Sequence, residues 1–143
     1  MSASERSGWR DQALSERHRL WGPNLPAVDL DLVEYDRGIP YVLIEFKCKS
    51  SEPPNLEDPN LRALRELGDR AGLPVVLAFY DSAVWNFTCY PLNGLAEEWF
   101  SQGEQLTEVE FVGRLYQLRG RELPIDLECR LNDVLPQEAR DAV

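Results

Sequence analysis

Histidine and cysteine are scarce in this chain. It contains one histidine, His18, and three cysteines among 143 residues. A single histidine excludes a multi-histidine metal centre and argues against an HNH-type nuclease site. The cysteines are odd in number, widely separated and without a C-x-x-C pair, so we expect neither a disulfide framework nor a zinc site from Cys48, Cys89 and Cys129.

Long apolar runs and several common motifs are also missing. No apolar run approaches the roughly 20 residues that span a bilayer, and residues 1–12 lack the apolar centre of a signal peptide. The patterns G-x-x-x-x-G-K-[ST], G-x-G-x-x-G and G-x-S-x-G do not occur. We therefore expect a cytoplasmic protein with reduced thiols and no membrane association.

The length and charge of the chain limit the number of domains and the ways in which nucleic acid can be contacted. A chain of 143 residues with 43% hydrophobic residues predicts a single domain over 1–143, with its core in about 7–118. The net charge of −10 is uneven, since residues 1–49 hold seven Lys/Arg and eight Asp/Glu, whereas residues 50–143 hold eight and 17. Nucleic acid could therefore be contacted only through a local basic face or through bound cations.

The first predicted helix spans residues 7–20 and is amphipathic. Its polar side carries Glu16, Arg17 and Arg19. These side chains fit either a solvated helix face or a face that contacts phosphate, with Glu16 near a metal site.

An acidic hairpin follows. Residues 28–35 alternate strictly and residues 40–47 are β-branched and aromatic, which predicts two strands. A three-residue loop, 36–38, with Gly38 in the left-handed conformation, fits between them. That loop pairs Asp29 with Glu45 and Asp31 with Leu43. Four charged side chains then share one face of the hairpin: Asp29, Asp31, Glu45 and Lys47.

Carboxylates at this spacing suit Mg²⁺ or Mn²⁺, which bind few protein ligands and keep waters for a phosphate substrate. Lys47 could orient an attacking water or stabilise negative charge. A hairpin whose charges simply face solvent explains the same pattern. Glu34 falls on the other face, where we expect it to be solvated.

The order of these residues resembles the PD-(D/E)XK nuclease superfamily. Asp31 is followed after thirteen residues by Glu45-Phe46-Lys47, and the strands DLVEY and YVLIEFK are similar to those of its VRR-NUC and Holliday-junction-resolvase branches. Those branches continue with a loop, a helix and a strand that begins near Gly-x-Pro, here 61–67 and 72–77. The resemblance covers roughly residues 26–80. It implies a restriction-endonuclease-like α/β fold, with a mixed β-sheet flanked by helices.

The resemblance also implies residue roles. Asp31 and Glu45 would bind the metal together with the backbone carbonyl of Phe46, and Lys47 would act on the water. Family members often have Pro directly before the Asp, whereas Leu30 precedes Asp31 here. Asp29 therefore stays as a secondary ligand, and Lys49 as an accessory residue.

The later chain predicts further helices and strands. Asp58 and Pro59 begin a helix that runs through Arg70, and a strand at 74–80 is apolar enough to be buried on both faces. A strand at 84–91 would pack Trp85 and Phe87 into the core. Helices are expected at 94–102 and 107–118, the second with a capping box from Thr107 and Glu110. Beyond 124 no element is assigned.

The function expected from these features is Mg²⁺- or Mn²⁺-dependent endonucleolytic hydrolysis of DNA. Such a small domain would act as a homodimer, on branched DNA or DNA ends, or inside a larger protein complex, in phage or mobile-element biology. Two alternatives remain open. One is a catalytically silent binding domain of the same fold, and the other is an acidic protein that imitates DNA.

Overall fold

The computed structural model describes residues 12–133. Its elements are five helices and five strands: α1 (Gln12–Leu20), β1 (Leu32–Asp36), β2 (Ile39–Cys48), α2 (Pro59–Ala71), β3 (Val75–Asp81), β4 (Asn86–Pro91), α3 (Gly94–Glu97), β5 (Glu104–Thr107), α4 (Glu108–Leu118) and α5 (Ile125–Asp133). The start of the predicted first helix, residues 7–11, lies outside the described residues.

The strands form one five-stranded mixed sheet in sequence order, β1-β2-β3-β4-β5. The pair β2–β3 is parallel and is connected through α2, whereas the other neighbouring pairs are antiparallel. Helices pack on both faces, since apolar side chains of α2 contact one face and those of α3 and α4 contact the other. The predicted α/β class, a mixed sheet flanked by helices, is confirmed.

The core lies on both sides of β2 and β3. Val42, Ile44, Val76 and Ala78 are buried beneath Phe87 and Phe111, in a cluster completed by α3 and α4. Leu43, Val75 and Leu77 are buried on the opposite face beneath Leu61 and Leu64 of α2. The prediction that residues 74–80 form a strand buried on both faces is confirmed for its first four strand residues.

The first hairpin differs from its prediction in turn length and register. Its turn contains two residues, Arg37 and Gly38, both with positive φ (54° and 82°), as a type I′ turn requires. Asp36 pairs with Ile39 and Tyr35 with Pro40. The predicted three-residue loop was therefore wrong.

A register shift near this turn changes which residues of β1 and β2 lie on the same face. Tyr35 pairs with Pro40 but Glu34 pairs with Val42, so β2 carries one extra residue at this point. A two-residue turn alone would have put the aspartates and Glu45 on opposite faces. Because the shift moves the pairing by one residue, the predicted shared face survives although the predicted partners were wrong.

The helix α2 begins where the sequence predicts and ends at Ala71, one residue after the predicted Arg70. The Asp58 carboxylate accepts a hydrogen bond from the backbone N–H of Asn60 at 2.8 Å, and Pro59 occupies the first turn. Gly72 ends the helix with φ of 71°. The capping box of Thr107 and Glu110 at the start of α4 is present as well.

Two predictions in the later chain were wrong. The helix expected at 94–102 ends at Glu97, and β5 forms at Glu104–Thr107 because this segment pairs with β4. Trp85 lies in the β3–β4 turn with φ of 51° and is 40% exposed, so it does not pack in the core as Phe87 does. The unassigned residues after 124 include α5.

Glu34 is not a freely solvated residue. Its carboxylate forms an ion pair with Arg119 at 2.9 Å, and both side chains are mostly buried. Arg121 and Asp36 pair at 2.8 Å. These contacts tie the end of α4 to β1 on the face away from Asp31, so these arginines are occupied within the protein.

The close contact of α2 with β3 depends on Gly68. A Cβ atom at this position would lie 2.1 Å from Val75 Cγ2 and 2.9 Å from the Leu73 carbonyl oxygen. We expect Gly68→Ala to lower the free energy of unfolding by about 1–3 kcal/mol, because the helix would be pushed off the strand. Urea denaturation measures the change.

Gly113→Ala is the matched control in α4, since the nearest atom to its Cβ would be Leu123 Cδ2 at 3.9 Å. There we expect no loss, or a gain of about 0.5–1 kcal/mol from higher helix propensity. Equal effects of the two substitutions would contradict this description of the packing.

Candidate active site

A cavity of about 440 Å³ opens on the α2 face of the sheet. It contains the four charged residues predicted from the hairpin, Asp29, Asp31, Glu45 and Lys47. The loop before α2 and its first turn supply further polar residues, Asn55, Asp58 and Asn60. Apolar residues of α2 and β3, among them Leu64 and Leu77, line the rest.

The strand β2 directs the two central residues into this cavity. Leu43, Glu45 and Lys47 alternate along one side of the strand, so Glu45 and Lys47 follow the buried Leu43 on the α2 face. They lie towards the carboxyl end of β2, beside its parallel neighbour β3. Ligands of open α/β sheets commonly bind at this end of parallel strands.

Asp31 is attached to the same strand by a hydrogen bond. Its Oδ2 atom accepts from the backbone N–H of Phe46 at 3.0 Å. Since β1 pairs Leu32 with Ile44, the next position of the register sets Asp31, rather than Asp29, opposite Glu45. The predicted pairing of Asp29 with Glu45 was therefore wrong. Asp29 still lines the cavity.

Glu45 is the electrostatic centre of the site. Burial raises the pKa of its carboxyl group above the ordinary value, and the nearby charge of Asp31 raises it further. Lys47 and a hydrogen bond from the Asp31 backbone oppose that rise, while Asp29 adds to it. The buried Oε2 atom has no hydrogen-bond partner among the described residues. An unpaired carboxylate oxygen next to a second carboxylate is a favourable place for a cation.

The donor set fits a hard divalent cation better than zinc. Asp31 and Glu45 supply carboxylate oxygens beside an open cavity, and Mg²⁺ commonly uses one or two carboxylates and retains several waters. Within residues 12–133, no group of three or more His, Cys, Asp or Glu side chains is arranged to hold a metal ion. A closed metal site made only of such side chains is thus not formed there. The role of the Phe46 carbonyl stays a prediction.

Two nearby lysines have different surroundings. Lys47 lines the cavity and is exposed, and no ion pair joins it to another residue of the described chain. Lys49 instead pairs with Asp81 at 3.3 Å and does not line the cavity. The accessory candidates on α1 do not line the cavity either, since its lining includes none of Glu16, Arg17 and Arg19.

The structure adds polar residues that the sequence did not identify as part of the site. Asn55 and Asp58 were assigned to a loop and a helix cap, and both line the cavity. Asn60, in the first turn of α2, lines it too. The position of these residues in the chain gave a weak indication of their role. A loop that leads from the carboxyl end of a strand into a helix lies at that end of the sheet.

No helix within the described chain is long and apolar enough to cross a membrane. Comparison of the chain with protein-family models, with curated proteins and with solved structures finds no match.

The raised pKa of Glu45 predicts a pH-dependent stability. The folded protein holds the Glu45 proton more tightly than the unfolded chain does, so stability falls as the pH rises through the folded pKa. Glu45→Gln does not titrate. We expect it to be more stable than the wild type at pH 7 in EDTA, and equally stable well below pH 4.5, the ordinary value.

Thermal unfolding at several pH values measures this difference. Glu110→Gln is a control of opposite sign, because hydrogen bonds from Thr107 hold the pKa of Glu110 below its ordinary value. Its substitution should reduce stability at pH 7 and have no effect at low pH. A wild type that is as stable as Glu45→Gln at pH 7 would contradict the assignment.

Proposed function

We propose that this protein is a metal-dependent deoxyribonuclease that hydrolyses phosphodiester bonds with Asp31, Glu45 and Lys47. The observation that carries the proposal is the convergence of these three side chains in one cavity. They come from two segments of the chain, and their order resembles the Asp and (D/E)-x-K residues of PD-(D/E)XK nucleases. A solvated hairpin would not need a cavity around these groups.

The arrangement of elements supports the same proposal. An antiparallel hairpin, a helix and then a strand parallel to the second hairpin strand follow one another as β1, β2, α2 and β3. The resemblance implies this order of loop, helix and strand after the lysine. We infer a restriction-endonuclease-like variant of the mixed α/β fold.

The residue roles follow from their surroundings. Asp31 and Glu45 would hold Mg²⁺ or Mn²⁺. The ion would give the unpaired Glu45 oxygen a partner and would reduce the repulsion between the two carboxylates. When bound, such an ion polarises the phosphoryl oxygen and lowers the pKa of a coordinated water. The Lys47 ammonium donates hydrogen bonds to the attacking water or to a phosphoryl oxygen. Asn55 and Asn60 bring neutral amides to the same cavity.

The acidity of the protein limits how DNA can approach. A net charge of −10 repels the phosphate backbone. Metal at Asp31 and Glu45 would reduce this repulsion at the reacting phosphate. We place this activity in the cytoplasm, consistent with the free state of Cys48, Cys89 and Cys129. A homodimer or a larger complex would supply further DNA contacts.

The metal ligands are tested by calorimetric titration with Mn²⁺. Asp31→Asn and Glu45→Gln should each weaken binding by tenfold to 100-fold or more, since changes to residues outside the ligand set already cost about that much. Asp29→Asn should have a much smaller effect, because Asp31 rather than Asp29 lies next to Glu45. Wild-type protein that binds no metal at millimolar concentration would refute the proposal.

Lys47 is tested by cleavage assays on linear, nicked and branched DNA. Lys47→Met should reduce the rate by about 100-fold or more, as expected for loss of a donor that stabilises the transition state, while Mn²⁺ binding is retained. Lys49→Met is the matched control, since Lys49 points to Asp81, and it should retain the wild-type rate. Metal binding without cleavage of any of these substrates would instead support a catalytically silent binding domain.

A further inference from the structure

Next to the active-site cavity lies a second, wider concavity formed by α1 and the segment that follows it. It measures about 620 Å³ and includes His18, Arg19 and Gly22. Ala27 lines both cavities. The two cavities are therefore neighbours on the surface.

This region carries local positive charge in an acidic protein. Arg17 and Arg19 are exposed on α1, and neither forms an ion pair with another residue in the range 12–133. Glu16, which directly precedes Arg17, accepts a hydrogen bond from Gln12 at 3.0 Å. By contrast, Arg114, Arg119 and Arg121 are held by carboxylates. Arg19 lines the concavity beside the site and thus provides a cation that no carboxylate of the described residues holds.

An exposed tryptophan, Trp21, directly precedes Gly22, which lines the concavity, although Trp21 itself is not part of the lining. Trp21 follows the last residue of α1 and is 52% exposed. Its backbone N–H donates to the His18 carbonyl at 3.0 Å, and Gly22, with φ of 93°, turns the chain immediately afterwards. The His18 ring contacts Trp21 edge-on, with centroids 5.2 Å apart. The indole is therefore held at the end of the helix while a large part of it stays open to solvent.

We propose that Trp21 and Arg19 bind an unpaired segment of DNA adjacent to the active-site cavity. Proteins that bind single strands combine cations along the backbone with aromatic rings on which bases stack, and these are the two features present here. The inference rests on the proposed nuclease function and narrows its substrate. The preferred DNA has a single-stranded overhang or flap next to the bond that is cut.

Binding is tested with fluorescein-labelled oligothymidylate of twelve nucleotides, by anisotropy in EDTA. Trp21→Leu should weaken binding by roughly tenfold, because base stacking on an aromatic ring is lost, whereas Trp21→Phe should retain most of the affinity. Arg19→Ala should reduce the slope of log K against log salt by about 0.7, as expected for one phosphate contact on a single strand.

Two control variants separate this region from general effects. Trp85→Leu removes another exposed tryptophan, which stacks on Tyr80 far along the sequence from α1, and Arg130→Ala removes an exposed arginine of α5. Both should bind the oligonucleotide as the wild type does. Equal loss in Trp21→Leu and Trp85→Leu, or equal affinity of Trp21→Leu and wild type, would overturn the inference.

Cleavage assays with Mn²⁺ distinguish this inference from the proposed function. The wild type should cut a duplex with an overhang faster than a blunt duplex, and Trp21→Leu should lose that preference while keeping its rate on blunt DNA. If both duplexes are cut equally by both proteins, the inference fails and the nuclease function stands. If no DNA is cut but the oligonucleotide binds through Trp21, the nuclease function fails and the binding site stands.

A protein partner for the same surface would give a different result. Leu20 and Leu25 are also exposed beside Trp21, and an interface between two copies of the chain would use them together. Light scattering reports the molar mass of wild type and Trp21→Leu. A dimer that dissociates in Trp21→Leu, with oligonucleotide binding unchanged, would overturn the inference.

Discussion

The hydrogen bond from the Phe46 backbone to the Asp31 carboxylate is the interaction on which the candidate site depends. Asp31 directly precedes β1, so this bond adds a contact to β2 one position before the β1–β2 pairing begins. Because Phe46 lies directly between Glu45 and Lys47, the bond brings Asp31 to the pair of residues that β2 presents to the cavity. A second hydrogen bond, from the Asp31 backbone to the Glu45 carboxylate, holds the same segment against β2.

The two neighbouring carboxylates of the site are electrostatically unfavourable. Glu45 is half-buried, lies near Asp31 and leaves one oxygen without a partner, which costs free energy in the protein without bound ions. The apolar residues on both faces of β2 and β3 can offset this cost, because Leu43 and Ile44 directly precede Glu45 in the core. A carboxyl group whose pKa is raised by burial and by a neighbouring charge is typical of functional sites.

Charge is distributed differently on the two faces of the sheet. Away from the cavity, Arg119 and Arg121 are paired with Glu34 and Asp36 and serve to fasten α4 to the hairpin. On the cavity side, Glu45 Oε2 has no hydrogen-bond partner within residues 12–133, and Lys47 and Arg19, which line the adjoining concavities, form no ion pair within that range. The active-site cavity is itself acidic, with four carboxylates beside Lys47, and the adjoining concavity adds the cation Arg19.

Local patterns in the sequence determined much of the fold. Alternation and β-branching located the strands near 40–47 and 74–80, and Asp58 and Pro59 marked the start of α2, because capping depends on neighbouring residues. Tertiary structure alone decided the register of the first hairpin, the formation of β5 and the exposure of Trp85, since these depend on pairing with distant strands. It also decided that Asp31 rather than Asp29 lies opposite Glu45. Sequence could supply the residues of the site, but their partners were set by the one-residue register shift beside the turn.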